Sequence, residues 1–128
     1  MTGQPRWRLA DDLTAPVFGE GVALSLFDLY RTHIRMGRPM IERVTFRDCR
    51  IEGPAVLLPV GGNSFDRVNF GDSRGDIRNL VLRPESPTSV IGAIPVRDCV
   101  FEGAQFFGVG FTGPQTFLDQ LLALGDKA

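Results

Sequence analysis

The sequence predicts an all-β fold in which short strands stack into a parallel β-helix of about three to four coils, followed by a C-terminal α-helix. Three observations favour it. An aromatic residue and a glycine recur every fifth position between Cys99 and Gly113. A longer block carrying Arg-Asp-Cys occurs twice, with a weaker copy between. An apolar helical stripe follows Gly113-Pro114.

The five-residue period appears in the stretch CVFEG-AQFFG-VGFTG, residues 99–113. Phe stands third and Gly fifth in each unit, at Phe101, Phe106 and Phe111 and at Gly103, Gly108 and Gly113. This period matches neither a helix nor a continuous strand. It is typical of a chain that makes two or three extended residues, turns and repeats, with alternate residues pointing inward and glycine at the corners.

Three blocks extend the period upstream, at residues 42–53, 66–75 and 94–103. Their alignment pairs Cys49 with Ser73 and Cys99, and Asp48 with Asp72 and Asp98. The predicted inward pairs are Val44/Phe46, Cys49/Ile51, Pro54/Val56, Asn63/Phe65, Val68/Phe70 and Ile94/Val96. Four such sides would make one square coil, and the coils would stack at a spacing of roughly 4.8 Å.

These units resemble pentapeptide repeats, most clearly over residues 99–113 and more loosely over 41–98. The resemblance implies a right-handed quadrilateral β-helix. It also implies a possible activity, since some members of that family mimic duplex DNA and bind gyrase. The interruptions VLLPVGGNS and RPESPTSVIGAIP favour a short, irregular helix here.

We predict one domain over 1–128, with an N-terminal segment or cap at 1–40, coils at 41–113 and a helix at 114–125. Residues 22–37 carry both an alternating and a helical pattern, and we favour strands. The C-terminal stripe either caps the last coil or forms a subunit contact. Its members are Phe117, Leu121, Leu122 and Leu124.

Composition and charge argue against a nucleic-acid-binding protein and against a membrane protein. The 128 residues carry 14 basic and 15 acidic side chains, a net charge of −1, whereas a dedicated nucleic-acid binder is normally basic. No apolar run approaches the roughly 18 residues of a membrane span, and the N-terminus lacks the apolar core of a signal peptide. We therefore expect a cytoplasmic protein without a membrane or nucleic-acid partner.

Few residues are candidates for a catalytic, redox or metal-binding site. We expect Cys49 and Cys99 to fill small core positions, because the alignment sets them two strand spacings apart, roughly 9.6 Å, beyond the about 7 Å between Cα atoms that a disulfide allows. The single histidine, His33, is expected at the surface or in a turn. We find no catalytic constellation, so we expect no enzyme activity and no cofactor or metal.

The polar candidates are surface residues. Asp48, Asp72 and Asp98 would form a column that either binds a cation or carbohydrate, or simply stabilises corners by bonding to its own backbone. Arg47 and Arg97 would neutralise this column, and Glu85 lies in the RPESPTS excursion at 83–89.

The function that these features favour is a non-enzymatic scaffold that presents a face, loop or end to a protein partner and forms a homo-oligomer, a dimer in the simplest case. Two alternatives stay open. One is a DNA-mimic type of topoisomerase inhibitor, implied by the family resemblance. The other is a carbohydrate-binding or carbohydrate-cleaving β-helix that uses the Asp column.

Overall fold

A computed structural model describes residues 7–70, 93–113 and 115–126, without the side chains of 122 and 124–126. These residues form short strands and two helices. The helices are α1 (Leu26–Arg35) and α2 (Gln115–Asp126). The strands are β1 (Arg8–Leu9), β2 (Val17–Phe18), β3 (Val22–Ser25), β4 (Ile41–Glu42), β5 (Thr45–Arg47), β6 (Arg50–Gly61), β7 (Ser64–Asp66), β8 (Ala93–Arg97), β9 (Val100–Glu102) and β10 (Gln105–Phe111).

All strand pairs among these residues are parallel, and they form two sheets. The small sheet has the order β2-β5-β9-β7, and the large one has the order β1-β3-β6-β8-β4 with β10 also paired to β6. The described residues alternate between the sheets in four passes, at 8–25, 41–57, 58–70 and 93–111. The mainly β prediction with parallel strands is therefore confirmed.

The passes do not stack in the order of the sequence. In the small sheet, β9 of the fourth pass lies between β5 of the second and β7 of the third. In the large sheet, β8 of the fourth pass lies between β4 and the end of β6 in the same way. In a simple solenoid each repeat contacts its neighbours in sequence, but here the fourth pass separates two consecutive ones.

Left-handed backbone marks the corners between strands, and the corner residues form two rows. One row contains Arg43, Asp98 and Gly62, with φ values of 57°, 54° and 70°. The other contains Gly21, Asp48, Gly103 and Arg67, with φ values of 79°, 52°, 62° and 52°. Gly accepts this conformation without cost, and Asp tolerates it better than most residues do.

The predicted alignment of the first block with the third is wrong by one five-residue unit, and that of the middle block with the third is wrong by two, because Thr45 and Ser64 both pair with Val100. Asp48 follows β5 and Asp98 precedes β9, so they lie in different rows at opposite ends of the strands and do not form one column. Likewise Cys99 lies beside Val44, whose carbonyl accepts the Val100 N–H at 3.0 Å. The error arises because successive strand-and-corner units carry the same residue types, so an alignment on identity can slip by whole units.

Stacked phenylalanines fill the interior beneath the small sheet. Phe101 lies between Phe46 and Phe65 with both ring centroids 4.8 Å away and nearly parallel planes. Phe18 continues the stack, 5.9 Å from Phe46. Phe106 and Phe111 are also buried, as predicted, but they meet edge to face at 5.1 Å. These close contacts make Phe101 the centre of the core.

Most predicted inward pairs are confirmed. Val44/Phe46, Cys49/Ile51 and Ile94/Val96 are buried, and Asn63/Phe65 and Val68/Phe70 are half-buried at the end of the stack. The Pro54/Val56 prediction is wrong, because Pro54 is exposed and Leu57 is buried with Ala55 against the core. The pairing with β10 shifts register here, since Phe107 pairs with Glu52 but Val109 pairs with Ala55.

Residues 26–35 form a helix, so the preference for strands throughout 22–37 is wrong beyond Ser25. The Ser25 side chain caps α1 by accepting the Asp28 N–H at 3.2 Å. The helix ends at Arg35, and Gly37 follows with a φ of 85°, while the Arg38 N–H returns to the His33 carbonyl at 3.0 Å. These two local signals, with Leu26 and Leu29 buried on one face, decide the conformation.

The predicted C-terminal helix is present as α2, and it packs on the β7 end of the stack. The Phe117 ring lies 5.7 Å from Phe65, and Leu118 and Leu121 are buried. Leu118 was not among the predicted contacts, and the side chains of Leu122 and Leu124 lie outside the described residues. These contacts favour capping within the chain, which shields the outer edge of the stack.

Replacing Phe101 by Ala tests this core. We expect a loss of about 3–5 kcal/mol in the free energy of unfolding, because the substitution removes the ring between Phe46 and Phe65 and leaves a cavity. Urea denaturation of the purified proteins measures it. The control is Phe107→Ala, since Phe107 is 57% exposed and should lose about 1 kcal/mol or less. Equal losses for the two variants would contradict the described packing.

Candidate functional site

Arg47 and Arg97, the arginines predicted to neutralise the Asp column, pair with glutamates of a neighbouring pass. Arg47 Nε donates to Glu102 Oε1 at 2.9 Å across β5 and β9, and Arg97 pairs with Glu42 across β8 and β4. Arg97 is also 3.9 Å from the Asp98 carboxylate. Hydrogen bonding from Arg97 lowers the pKa of Glu42. The two arginines therefore join neighbouring passes, and Arg97 also reaches Asp98, one of the two described aspartates of the predicted column.

The signs of these charges alternate between passes. The second pass carries Glu42 and then Arg47, and the fourth carries Arg97 and then Glu102, five residues apart in each case. The surface formed by these pairs thus carries both positive and negative charges, whereas a surface that mimics duplex DNA needs an extended acidic strip.

Asp48 and Asp98 pack against glycine corners of a neighbouring pass. A Cβ atom at Gly103 would overlap the Asp48 carboxylate, and one at Gly62 would overlap that of Asp98. Both aspartates therefore occupy structural corners beside a residue that has no side chain. Asp72 and Glu85, the other predicted acids, lie outside the described residues.

The two cysteines fill the core, as predicted. Both are free thiols with no exposed surface. Burial raises the pKa of Cys49 to about 12, and it also raises the pKa of Cys99. A buried thiol that stays protonated is a poor nucleophile and a poor metal ligand. These residues therefore contribute packing.

His33 is buried, so its predicted surface position is wrong. It is 1% exposed in the last turns of α1, and Arg38 Nη1 lies 3.4 Å from its Nδ1 atom. Its Nε2 atom has no hydrogen-bond partner among the described residues. Burial and then the Arg38 charge lower the pKa of His33, and the Glu42 carboxylate and the Met40 carbonyl oppose them. The ring is therefore held neutral.

Large apolar side chains are exposed on the outer face of α1. Phe27 is 51% exposed and Ile34, two helical turns later, is 45% exposed. The Arg31 guanidinium lies over the Phe27 ring, 5.7 Å from its centroid. Tyr30 is half-buried between this face and the core. We define Phe27, Tyr30, Arg31 and Ile34 as the α1 patch, which combines the residue types that dominate protein interfaces.

A cleft lies between α2 and the corner after β7. Its volume is about 360 Å³, and its lining includes Phe65, Phe70, Phe117 and Leu121 with Arg67 and Gln120. Two predicted contact residues, Phe117 and Leu121, therefore face this cleft while also packing against the core. Phe70 is the last described residue before 71–92.

Sequence reasoning missed the α1 patch because it did not recognise the helix. The signals were present, since Ser25 and Asp28 have the spacing of an N-cap and its first turn, and Gly37 follows the last turn. With the helix assigned, Phe27 and Ile34 fall opposite Leu29 and His33. Their exposure would then have followed from helical geometry.

The buried His33 predicts a pH-dependent stability. Its folded-state pKa lies below the ordinary value of 6.5, so its stabilising effect is complete above that value and is lost as the pH falls through the folded-state pKa. We expect the free energy of unfolding to decrease as the pH falls below 6.5, with a smaller decrease in His33→Gln. Urea denaturation at each pH measures this. Identical pH profiles for the two proteins would refute it.

Among the described residues, no group of three or more His, Cys, Asp or Glu side chains is arranged to hold a metal ion. Within the same residues, neither helix has the length and apolar character needed to cross a membrane. A scan of protein-family models, a search of curated proteins and a search of solved structures returned no match.

Proposed function

We propose that this chain is a non-enzymatic interaction protein that uses a short β-helix as a rigid support and self-associates through the α1 patch. The β-helix is right-handed in this proposal and resembles the pentapeptide-repeat fold. Left-handed corners five residues apart support it, at positions 43 and 48, 62 and 67, and 98, 103 and 108. The parallel pairing of all four passes also supports it.

The observation that carries the function is the exposure of Phe27 and Ile34 on one helical face. Covering a large apolar side chain contributes about 1.5–3 kcal/mol. The side chains of Phe27 and Ile34 are 51% and 45% exposed. Scattered single apolar residues need no explanation, but a contiguous group rimmed by polar residues marks an interaction site. Asp28 and Arg35 provide the charged rim on the same helix.

A second copy of the chain is the occupant that this patch fits best. The same patch on both subunits would meet around a two-fold axis, so that Phe27 of one copy contacts Ile34 of the other. The Arg31 guanidinium can stay at the edge of the interface, because it already forms an ion pair with Asp28 at 3.9 Å and lies over the Phe27 ring. The helix is well supported from below, since Leu26, Leu29 and His33 anchor it.

Light scattering after size-exclusion chromatography tests the proposal. We expect a dimer for the unchanged protein and a monomer for Phe27→Ser combined with Ile34→Ser, because two polar side chains would remove the apolar contact. The matched control is Leu9→Ser, at a residue 75% exposed on β1 and outside the patch. It should remain a dimer. A monomeric unchanged protein, or a double variant that remains dimeric, would overturn the proposal.

A further inference from the structure

A small polar pocket lies where the loop before β2, the turn after α1 and the corner after β4 meet. Its volume is about 170 Å³, and its lining includes Thr14, Pro16, Arg38, Glu42, Arg43 and Val44. The cleft beside α2 and the α1 patch do not include these residues. Its dimensions suit a small polar ligand of a few non-hydrogen atoms.

Positive charge exceeds negative charge at this pocket. Glu42 is the acidic residue of the lining, and its carboxylate is 12% exposed and already paired with Arg97. Arg38 and Arg43 lie near enough to Glu42 to contribute to its lowered pKa. The lining therefore carries two guanidinium groups and one carboxylate, and that carboxylate already pairs with Arg97.

Among the described residues, neither lining arginine pairs with a carboxylate. Arg43 makes no ion pair or side-chain hydrogen bond with the described part of the chain, and the contact of Arg38 there is with His33 Nδ1 at 3.4 Å. That imidazole is buried and neutral, so it does not offset the charge. Thr14 shapes the wall, because its hydroxyl and its N–H both donate to Asp12.

We propose that Arg38 and Arg43 bind a small oxyanion in this pocket, either a free phosphate or sulfate ion or the phosphoryl group of a larger molecule. Guanidinium groups donate two parallel hydrogen bonds to such oxygens, and they remain charged at any physiological pH. The proposal goes beyond the interaction function and does not depend on dimerisation, since the α1 patch contains neither arginine.

The single histidine provides a specific probe. His33 is the one histidine of the 128 residues, and its Nδ1 atom lies 3.4 Å from the Arg38 guanidinium. Its imidazole proton signals should therefore shift when an anion binds Arg38. We expect a saturable shift with sodium phosphate and with sodium sulfate, but not with sodium chloride at equal ionic strength. Adding phosphoserine separates the two sources, since a matching shift shows that an attached phosphoryl group also fits.

Substitutions at matched corners locate the site. Arg43→Asn keeps a residue type that tolerates the φ of 57°, and Arg67→Asn makes the same change at φ 52° in the other corner row. We expect phosphate affinity to fall at least about tenfold in Arg43→Asn and to stay unchanged in Arg67→Asn. Arg38→Gln, in an exposed turn, should weaken binding in the same way.

The unaltered amide spectra of the variants would confirm that they fold. Equal shifts with phosphate and chloride in the unchanged protein would overturn the proposal. Equal phosphate affinity in Arg43→Asn and Arg67→Asn would also overturn it, because the pocket would then contribute nothing specific.

Discussion

The insertion of the fourth pass between the second and third is the constraint on which the rest of the structure depends. β9 pairs on both edges, with β5 and with β7, and its Phe101 ring stacks between Phe46 and Phe65. Removing this pass would leave two strand edges unpaired and split the aromatic stack. The small sheet therefore forms only when residues distant in sequence have met, which makes its folding non-local.

The two helices and the surface features follow from that arrangement. β7 becomes the outer strand of the small sheet, and α2 covers this end through Phe117 and Leu121. At the other side α1 connects the first and second passes and packs on β3, β4, β6 and β8. The rigid stack thereby presents two separate surfaces, the α1 patch and the arginine pocket beside β4.

Local features of the sequence predicted much of this fold. The five-residue period identified buried pairs such as Val44/Phe46, because the inward direction of a side chain depends on its immediate neighbours. Proline and an apolar stripe identified α2. The order of the passes was beyond such reasoning, since equivalent sides carry the same residue types. The stretch LSLFDL resembles the inward pairs of the later blocks and so favours strands, but the caps at Ser25 and Gly37 give the helix α1 and its exposed outer face.

Disulfide trapping tests the central claim most directly. Thr45 and Val100 are direct neighbours, whereas Thr45 and Ser64 lie on opposite sides of Val100, about 9.6 Å apart. The native thiols are buried and resist oxidation. Under mild oxidation, Thr45→Cys with Val100→Cys should therefore form a disulfide, and Thr45→Cys with Ser64→Cys should not, since Cα atoms must lie within about 7 Å. Cross-linking of the 45–64 pair alone would contradict the account, because it would mean that the passes stack in sequence order.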